Sequence, residues 1–171
     1  MIDTALRAAA KRVLAAFRAR GLTVATAESC TGGLVAAALT DIAGSSDVVD
    51  RGFVTYSNAA KEAMLGVPAV MLTHHGAVSG ETAAAMAAGA LKNSQADVAV
   101  AITGIAGPGG GSKQKPVGLV YFAAASRDGR YIARTRRYGK IGRRRVRERS
   151  VAEALELLQL VAEDARPAKA K

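Results

Sequence analysis

The sequence predicts an α/β fold: a three-layer α/β/α sandwich around a mixed, mostly parallel sheet of about five strands. Three observations predict it. Apolar runs of helical and strand period alternate through the first two thirds of the chain, a hairpin pattern interrupts them near residue 126, and a long amphipathic run closes the chain. At 171 residues the chain has the length of one domain; we expect that domain over 1–165, with 166–171 as a frayed basic tail. Seven aromatic residues, no Trp and 38 Ala mean a core built from Ala, Val, Leu and Ile, in which elements approach closely.

Leu6, Val13, Leu14 and Phe17 recur at helical spacing, and Gly21 closes that helix. LTVATA reads as a strand running into the turn ESCTGG, after which LVAAALTDIAG starts a second helix. VVDRGFVTYS reads as a strand, and Asn58 is placed to cap the helix AAKEAMLG, which Gly66 and Pro68 stop. LTHHGAVS reads as a loop carrying His74 and His75; Ser79 then opens GETAAAMAAGALKN, with Glu81 in its first turn. ADVAVAIT reads as a buried strand, followed by GIAGPGGGSKQKP with five glycines and two prolines. VGLVYFAAA and RYIARTRRY pair across SRDG, and the last helix runs from Arg143 to Asp164 with Val151, Leu155, Leu158 and Val161 on one face.

The single Cys30 excludes an internal disulfide and a Cys-based zinc cluster. No apolar run reaches the ~18 residues of a membrane helix, and the basic first twenty residues read as an amphipathic helix rather than a secretory signal. A cytoplasmic protein is expected. The net charge of +10 is concentrated in residues 127–149, where eleven Lys or Arg face two acids. Such a segment is either a nucleic-acid or phosphate surface or a solvated hairpin edge and helix start. The edge reading is preferred, because no nucleic-acid motif accompanies the charge.

Two segments carry chemistry. A strand-to-helix turn such as ESCTGG exposes its side chains and directs backbone N–H groups outward, so it can present a nucleophile beside an oxyanion site; an ordinary N-cap through Ser29 or Thr31 accounts for the same residues. Ser29 and Cys30 compete as nucleophiles, the thiol needing a base or a cation to ionise. Lys61, in the first turn of its helix and five residues after Tyr56, is either a base for Ser29 or an exposed lysine. TGIAGPGGG at a strand end suits a nest of N–H groups around a phosphate or sugar, and matches neither a P-loop nor a dinucleotide fingerprint.

AESCTGG, RGFVTYSNAAKEAMLGV, HGAVS and TGIAGPGGGSKQKPVG, in that order, resemble the CinA C-terminal domain family over roughly residues 5–163. Its stand-alone members are nicotinamide-nucleotide amidases, which convert nicotinamide mononucleotide to nicotinic acid mononucleotide and ammonia in pyridine-nucleotide salvage. The resemblance implies Ser29 as nucleophile, Lys61 as base, Tyr56 as their partner, and Cys30 as packing. It implies substrate contacts from Thr103, Gly104, Gly107, Gly109, Gly110 and Gly111. Thr31, Gly32 and Gly33 are the expected oxyanion turn; Glu28 and Arg143 complete the expected substrate contacts, although relatives typically carry an acid near Lys140. Metal-free, cofactor-free hydrolysis by a homo-oligomer follows from the resemblance. The alternative is a competence or DNA-damage accessory protein binding nucleic acid through 127–149.

Overall fold

A computed structural model describes residues 2–167. Its order is α1 (Thr4–Ala19), β1 (Val24–Glu28), α2 (Leu34–Thr40), β2 (Val49–Val54), α3 (Asn58–Leu65), α4 (Ala69–His75), α5 (Gly80–Lys92), β3 (Val98–Gly104), β4 (Leu119–Ser126), β5 (Tyr131–Arg137) and α6 (Arg143–Ala162). The strands form one sheet in the order β2-β1-β3-β4-β5. The β2–β1 and β1–β3 pairings are parallel and the β3–β4 and β4–β5 pairings antiparallel, so four of the five strands point the same way. The expected sandwich is observed, with α1, α2 and α6 on one face and α3, α4 and α5 on the other.

Strand alternation gives the two faces different side chains. Val24, Val98, Val100, Ile102, Val120 and Phe122 point toward α1, α2 and α6. Ala25, Ala27, Ala99, Ala101 and Ala123 point toward α5. In register, Ala27, Ala101, Ala123 and Ala133 form an unbroken row across four strands. The large face anchors α1 through Leu6, Val13, Leu14 and Phe17, all buried as their spacing predicts. Burying four such side chains contributes roughly 6–12 kcal/mol, which a sixteen-residue helix, marginal when isolated, requires.

The alanine face lets α5 lie close on the sheet, and α3 close on α5. A β-carbon on Gly89 would stand 2.0 Å from the Leu65 carbonyl oxygen, so the last turn of α3 rests directly on α5 backbone.

Three local expectations are corrected. Ser57, not Asn58, caps α3: its hydroxyl accepts the Ala60 N–H at 3.0 Å. Pro68 does not keep the chain out of helix but precedes one, since its fixed φ suits a helix start, and α4 therefore carries His74 and His75 where a loop was expected. Helix α2 stops at Thr40, four residues before Gly44. Of the expected tail, Arg166 is tied to the hairpin, its N–H donating to Asp128 at 2.9 Å, and residues 168–171 lie outside the described residues. Among the described residues no helix is long and apolar enough to cross a membrane.

Gly89→Ala tests the close contact. Helix propensity would gain about 1 kcal/mol, but a β-carbon at 2.0 Å from backbone cannot be relieved by a side-chain rotation. A net loss of about 1–2 kcal/mol is expected, read as a melting temperature lower by about 2–8 °C.

Candidate active site

The turn after β1 is built by backbone rules. The Ser29 N–H donates to the Ile102 carbonyl at 2.9 Å, extending the β1–β3 ladder by one residue, and the Gly32 N–H closes the turn on the Ser29 carbonyl at 3.0 Å. Gly32 and Gly33 have φ of +60° and +92°, the left-handed region that glycine enters without strain. Alternation sends Glu28 to the α2 side and Ser29, next along, to the α3 side.

Glu28 is not placed to touch a substrate, which corrects the sequence expectation. Its side chain is fully buried, and its carboxylate accepts the N–H groups of Gly33 (3.0 Å), Val35 (3.0 Å) and Ala36 (2.9 Å) and the Thr26 hydroxyl (3.2 Å). It caps α2, whose N-cap residue Gly33 has no side chain to do so. A second correction follows. Of the three N–H groups expected around an oxyanion, those of Gly32 and Gly33 are already engaged. Only Thr31's, with that of Cys30, donates to no other residue among the described residues.

Lys61 is not a surface lysine. It lies on the buried side of α3, 1 % exposed, with Nζ 3.1 Å from Ser29 Oγ and donating to the Thr55 carbonyl at 2.8 Å. It has no carboxylate partner among the described residues. Burial pushes its pKa below the ordinary 10.5, against a smaller opposing influence of Cys30. Burial pushes the Cys30 thiol up to about 12, so it stays protonated at neutral pH. Ser29, not Cys30, has the base beside it. His75 on α4 faces Glu81 at 3.6 Å, and neither histidine bonds to Ser29 or Cys30.

Tyr56 stands at the rim, 59 % exposed, and has no hydrogen bond to Ser29 or Lys61. Its hydroxyl oxygen accepts from Arg143 Nη2 at 2.6 Å, while Nη1 of the same guanidinium donates to the Gly107 carbonyl at 3.0 Å. Arg143 thus joins the nucleophile side of the site to the glycine-rich loop. One helical turn later, Arg147 Nη2 donates to the Thr31 carbonyl at 2.7 Å. Arg147 is a site residue not expected from the sequence; its i,i+4 spacing from Arg143 is the signal that places both on one face of α6. A cleft of about 430 Å³ beside the turn is lined by Leu34, Arg143, Arg144, Arg147 and Glu148. The buried Thr31 Oγ1, Thr55 Oγ1 and Arg147 Nε have no hydrogen-bond partner among the described residues.

The glycine-rich loop is more structural than its composition implies. A β-carbon on Gly104 would meet the Leu119 carbonyl at 2.7 Å, and on Gly107 and Gly111 it would strike Val117 at 2.6 and 2.8 Å. Packing accounts for these three glycines. Thr103 is buried and donates to the Ala77 carbonyl at 2.6 Å, holding the segment before α5. Gly109 has open space around it, and Gly110 meets only Ile105 at 3.8 Å. Both line a cleft of about 370 Å³ with Lys113 and Lys140.

Much of the charge of 127–149 is turned on the protein itself. Arg127 donates to the carbonyls of Leu91, in the last turn of α5, and of Ser94 and Ala96, which follow it. Arg134 and Arg136 converge on the nearly buried Glu153, the latter through two bonds of 2.6 and 3.0 Å. Arg130 pairs with Asp164 at 2.8 Å. Among the described residues no group of three or more His, Cys, Asp or Glu side chains is arranged to hold a metal ion.

Fold and site together define an α/β/α protein in which a half-buried serine on a strand-to-helix turn meets a buried lysine of α3. Residues 6–162 match the CinA C-terminal domain, and the chain belongs to that family. It is 52 % identical over 158 residues to the nicotinamide-nucleotide amidohydrolase PncC of Escherichia coli K12, covering 92 % of this chain and 95 % of that protein. A CinA-like protein of Mycolicibacterium gilvum is 58 % identical over 139 residues, which are 81 % of this chain but 33 % of that longer one. Among solved structures, the competence/damage inducible protein CihA from Agrobacterium tumefaciens superposes with a TM-score of 0.93 at 54 % identity, covering 96 % of this chain and 99 % of that one.

The buried thiol generates a prediction. With its pKa at about 12 and 5 % exposure, Cys30 should resist iodoacetamide at pH 8 in the folded protein and react fully once denatured, as followed by mass spectrometry.

Proposed function

We propose that this protein hydrolyses the carboxamide of nicotinamide mononucleotide, giving nicotinic acid mononucleotide and ammonia through an acyl-enzyme on Ser29, and that it serves pyridine-nucleotide salvage. The observation that carries this reading is the 3.1 Å approach of the buried Lys61 Nζ to the part-buried Ser29 Oγ, with no counter-ion for the amine among the described residues. The likeness to the E. coli amidohydrolase over nearly the full length of both chains supports the substrate class.

A neutral amine keeps an N–H for the Thr55 carbonyl and offers its lone pair to the Ser29 O–H. Lys61 takes that proton as the serine oxygen attacks the carboxamide carbon. The Cys30 and Thr31 N–H groups receive the developing oxyanion; each such donor is worth about 2.7–4 kcal/mol in comparable enzymes. Lys61 then passes the proton to the amide nitrogen and ammonia leaves. Water attacks the acyl carbon with Lys61 again as base, freeing the acid and Ser29. The pyridinium charge makes the carbonyl more electrophilic. Arg143 and the open backbone at Gly109 and Gly110 hold the ribose phosphate, and Tyr56, fixed by Arg143, borders the ring.

Ammonia release from nicotinamide mononucleotide tests the reading. Ser29→Ala and Lys61→Ala are each expected to lower kcat by about 10³-fold or more, and Cys30→Ala to retain it within a few-fold. Wild-type turnover in Ser29→Ala overturns the mechanism.

The depressed pKa of Lys61 also predicts two pH dependences. Because the base must be neutral, kcat/KM should rise with pH to a plateau, with a midpoint below 10.5 that Cys30→Ala leaves in the same region. Between the folded pKa and 10.5 the unfolded chain holds a proton that the folded one lacks, so folding strengthens as pH rises. Relative to Lys61→Met, the wild type should therefore gain stability across that window, reach its full gain above 10.5, and lose it as pH falls through the folded value.

A further inference from the structure

Glu28 is an interior carboxylate that forms no ion pair among the described residues. Four donors take the place of a cation: the N–H groups of Gly33, Val35 and Ala36 and the Thr26 hydroxyl, at 2.9–3.2 Å. Charge-assisted bonds of this kind offset the several kcal/mol that burial of a lone carboxylate costs. They also occupy the amides that open α2, which would otherwise be the natural place for a negative oxygen near Ser29.

Two consequences reach the nucleophile. The segment from Ser29 to Gly33 is held at both ends, by Ser29 N–H to Ile102 and by Gly33 N–H to Glu28, with Arg147 fastening Thr31 between them. Because Glu28 takes the amides of Gly33, Val35 and Ala36, the unengaged donors beside Ser29 are those of Cys30 and Thr31. Resting on the amidase reading above, we propose that Glu28 is a positioning residue of that reaction. Its carboxylate never meets substrate. It sets the attitude of Ser29 Oγ toward Lys61, and it moves oxyanion stabilisation from the start of α2 to the Cys30–Thr31 segment.

The test is Glu28→Gln in the full chain. Glutamine keeps the shape but offers one acceptor oxygen, and its amide group faces N–H donors. Misplacing a reacting atom by about 1 Å costs roughly 10²-fold, so kcat should fall by about that factor, while KM stays within about twofold and the pH midpoint assigned to Lys61 does not move. A raised KM at unchanged kcat would make Glu28 a substrate contact, and unchanged kcat per folded molecule with a lower melting temperature would make it a stability cap only; either overturns the proposal. Should Glu28→Gln not fold, Thr26→Val removes a single donor from the same carboxylate; about fivefold lower kcat at constant KM is expected, and no change overturns the proposal. Sulfonylation of Ser29 by phenylmethanesulfonyl fluoride, followed by mass spectrometry, separates this proposal from the amidase reading. A wild type that is labelled at Ser29 but releases no ammonia defeats the amidase reading alone. Equal labelling rates in wild type and Glu28→Gln defeat the role of Glu28.

Discussion

A primary amine held in the interior, without a counter-charge among the described residues, is the constraint around which this molecule is arranged. Burial disfavours the proton of Lys61, and below its ordinary pKa that preference is subtracted from folding. Among the described residues no carboxylate relieves it, and the nitrogen meets the Thr55 carbonyl and the Ser29 hydroxyl. An acidic neighbour would stabilise the fold and also keep the amine protonated, ending its use as a base. The site is therefore bought with stability drawn from the rest of the sandwich.

The asymmetry of the sheet supplies that stability and aims the amine. Its Val, Ile and Phe face anchors α1 and α6, where much of the apolar burial lies. Its alanine face brings α5 in, α5 carries α3 at the Gly89–Leu65 contact, and α3 carries Lys61 toward Ser29. Larger residues in the alanine row would lift α5 and α3 together, and a hydrogen bond of 3.1 Å tolerates little of that. Catalytic geometry and core composition are one problem here.

Helix α6 links the two halves of the site. Arg143 and Arg147, one turn apart, reach the glycine-rich loop, Tyr56 and the nucleophile turn. Further along the same helix, Glu153 ties down the hairpin through Arg134 and Arg136. The basic segment is in large part a set of struts between carbonyls, carboxylates and the site, which accounts for its density of arginine over lysine: a planar fork with five donors can bridge two acceptors, as an ammonium does poorly.

Periodicity and turn chemistry were enough to lay out the elements: the buried stripe of α1, the strand–turn–helix at ESCTGG, the hairpin and α6 stand where spacing put them, because these signals are local. The short-range errors have local causes too: Ser57 and Asn58 are both good caps, and only the entry path of the chain chose between them, while Gly66 ends α3 and Pro68, two residues on, begins α4. The resemblance to a known family marked Ser29 and Lys61 as a pair, yet distance along the chain carries no information on burial, so a lysine that looked like any exposed one needed the packed sandwich to show it 1 % exposed beside a serine. The roles of Glu28 and Arg147 needed the packed structure for the same reason. A glutamate next to a nucleophile looks like a ligand contact until strand alternation turns it under α2, and the spacing of Arg147 from Arg143 gives a shared helix face but not the turn, over a hundred residues away, against which that face is set. Residue types and their local order thus settled the elements and the chemistry available; long-range packing alone decided which side chain is buried, which N–H is taken and which is left open.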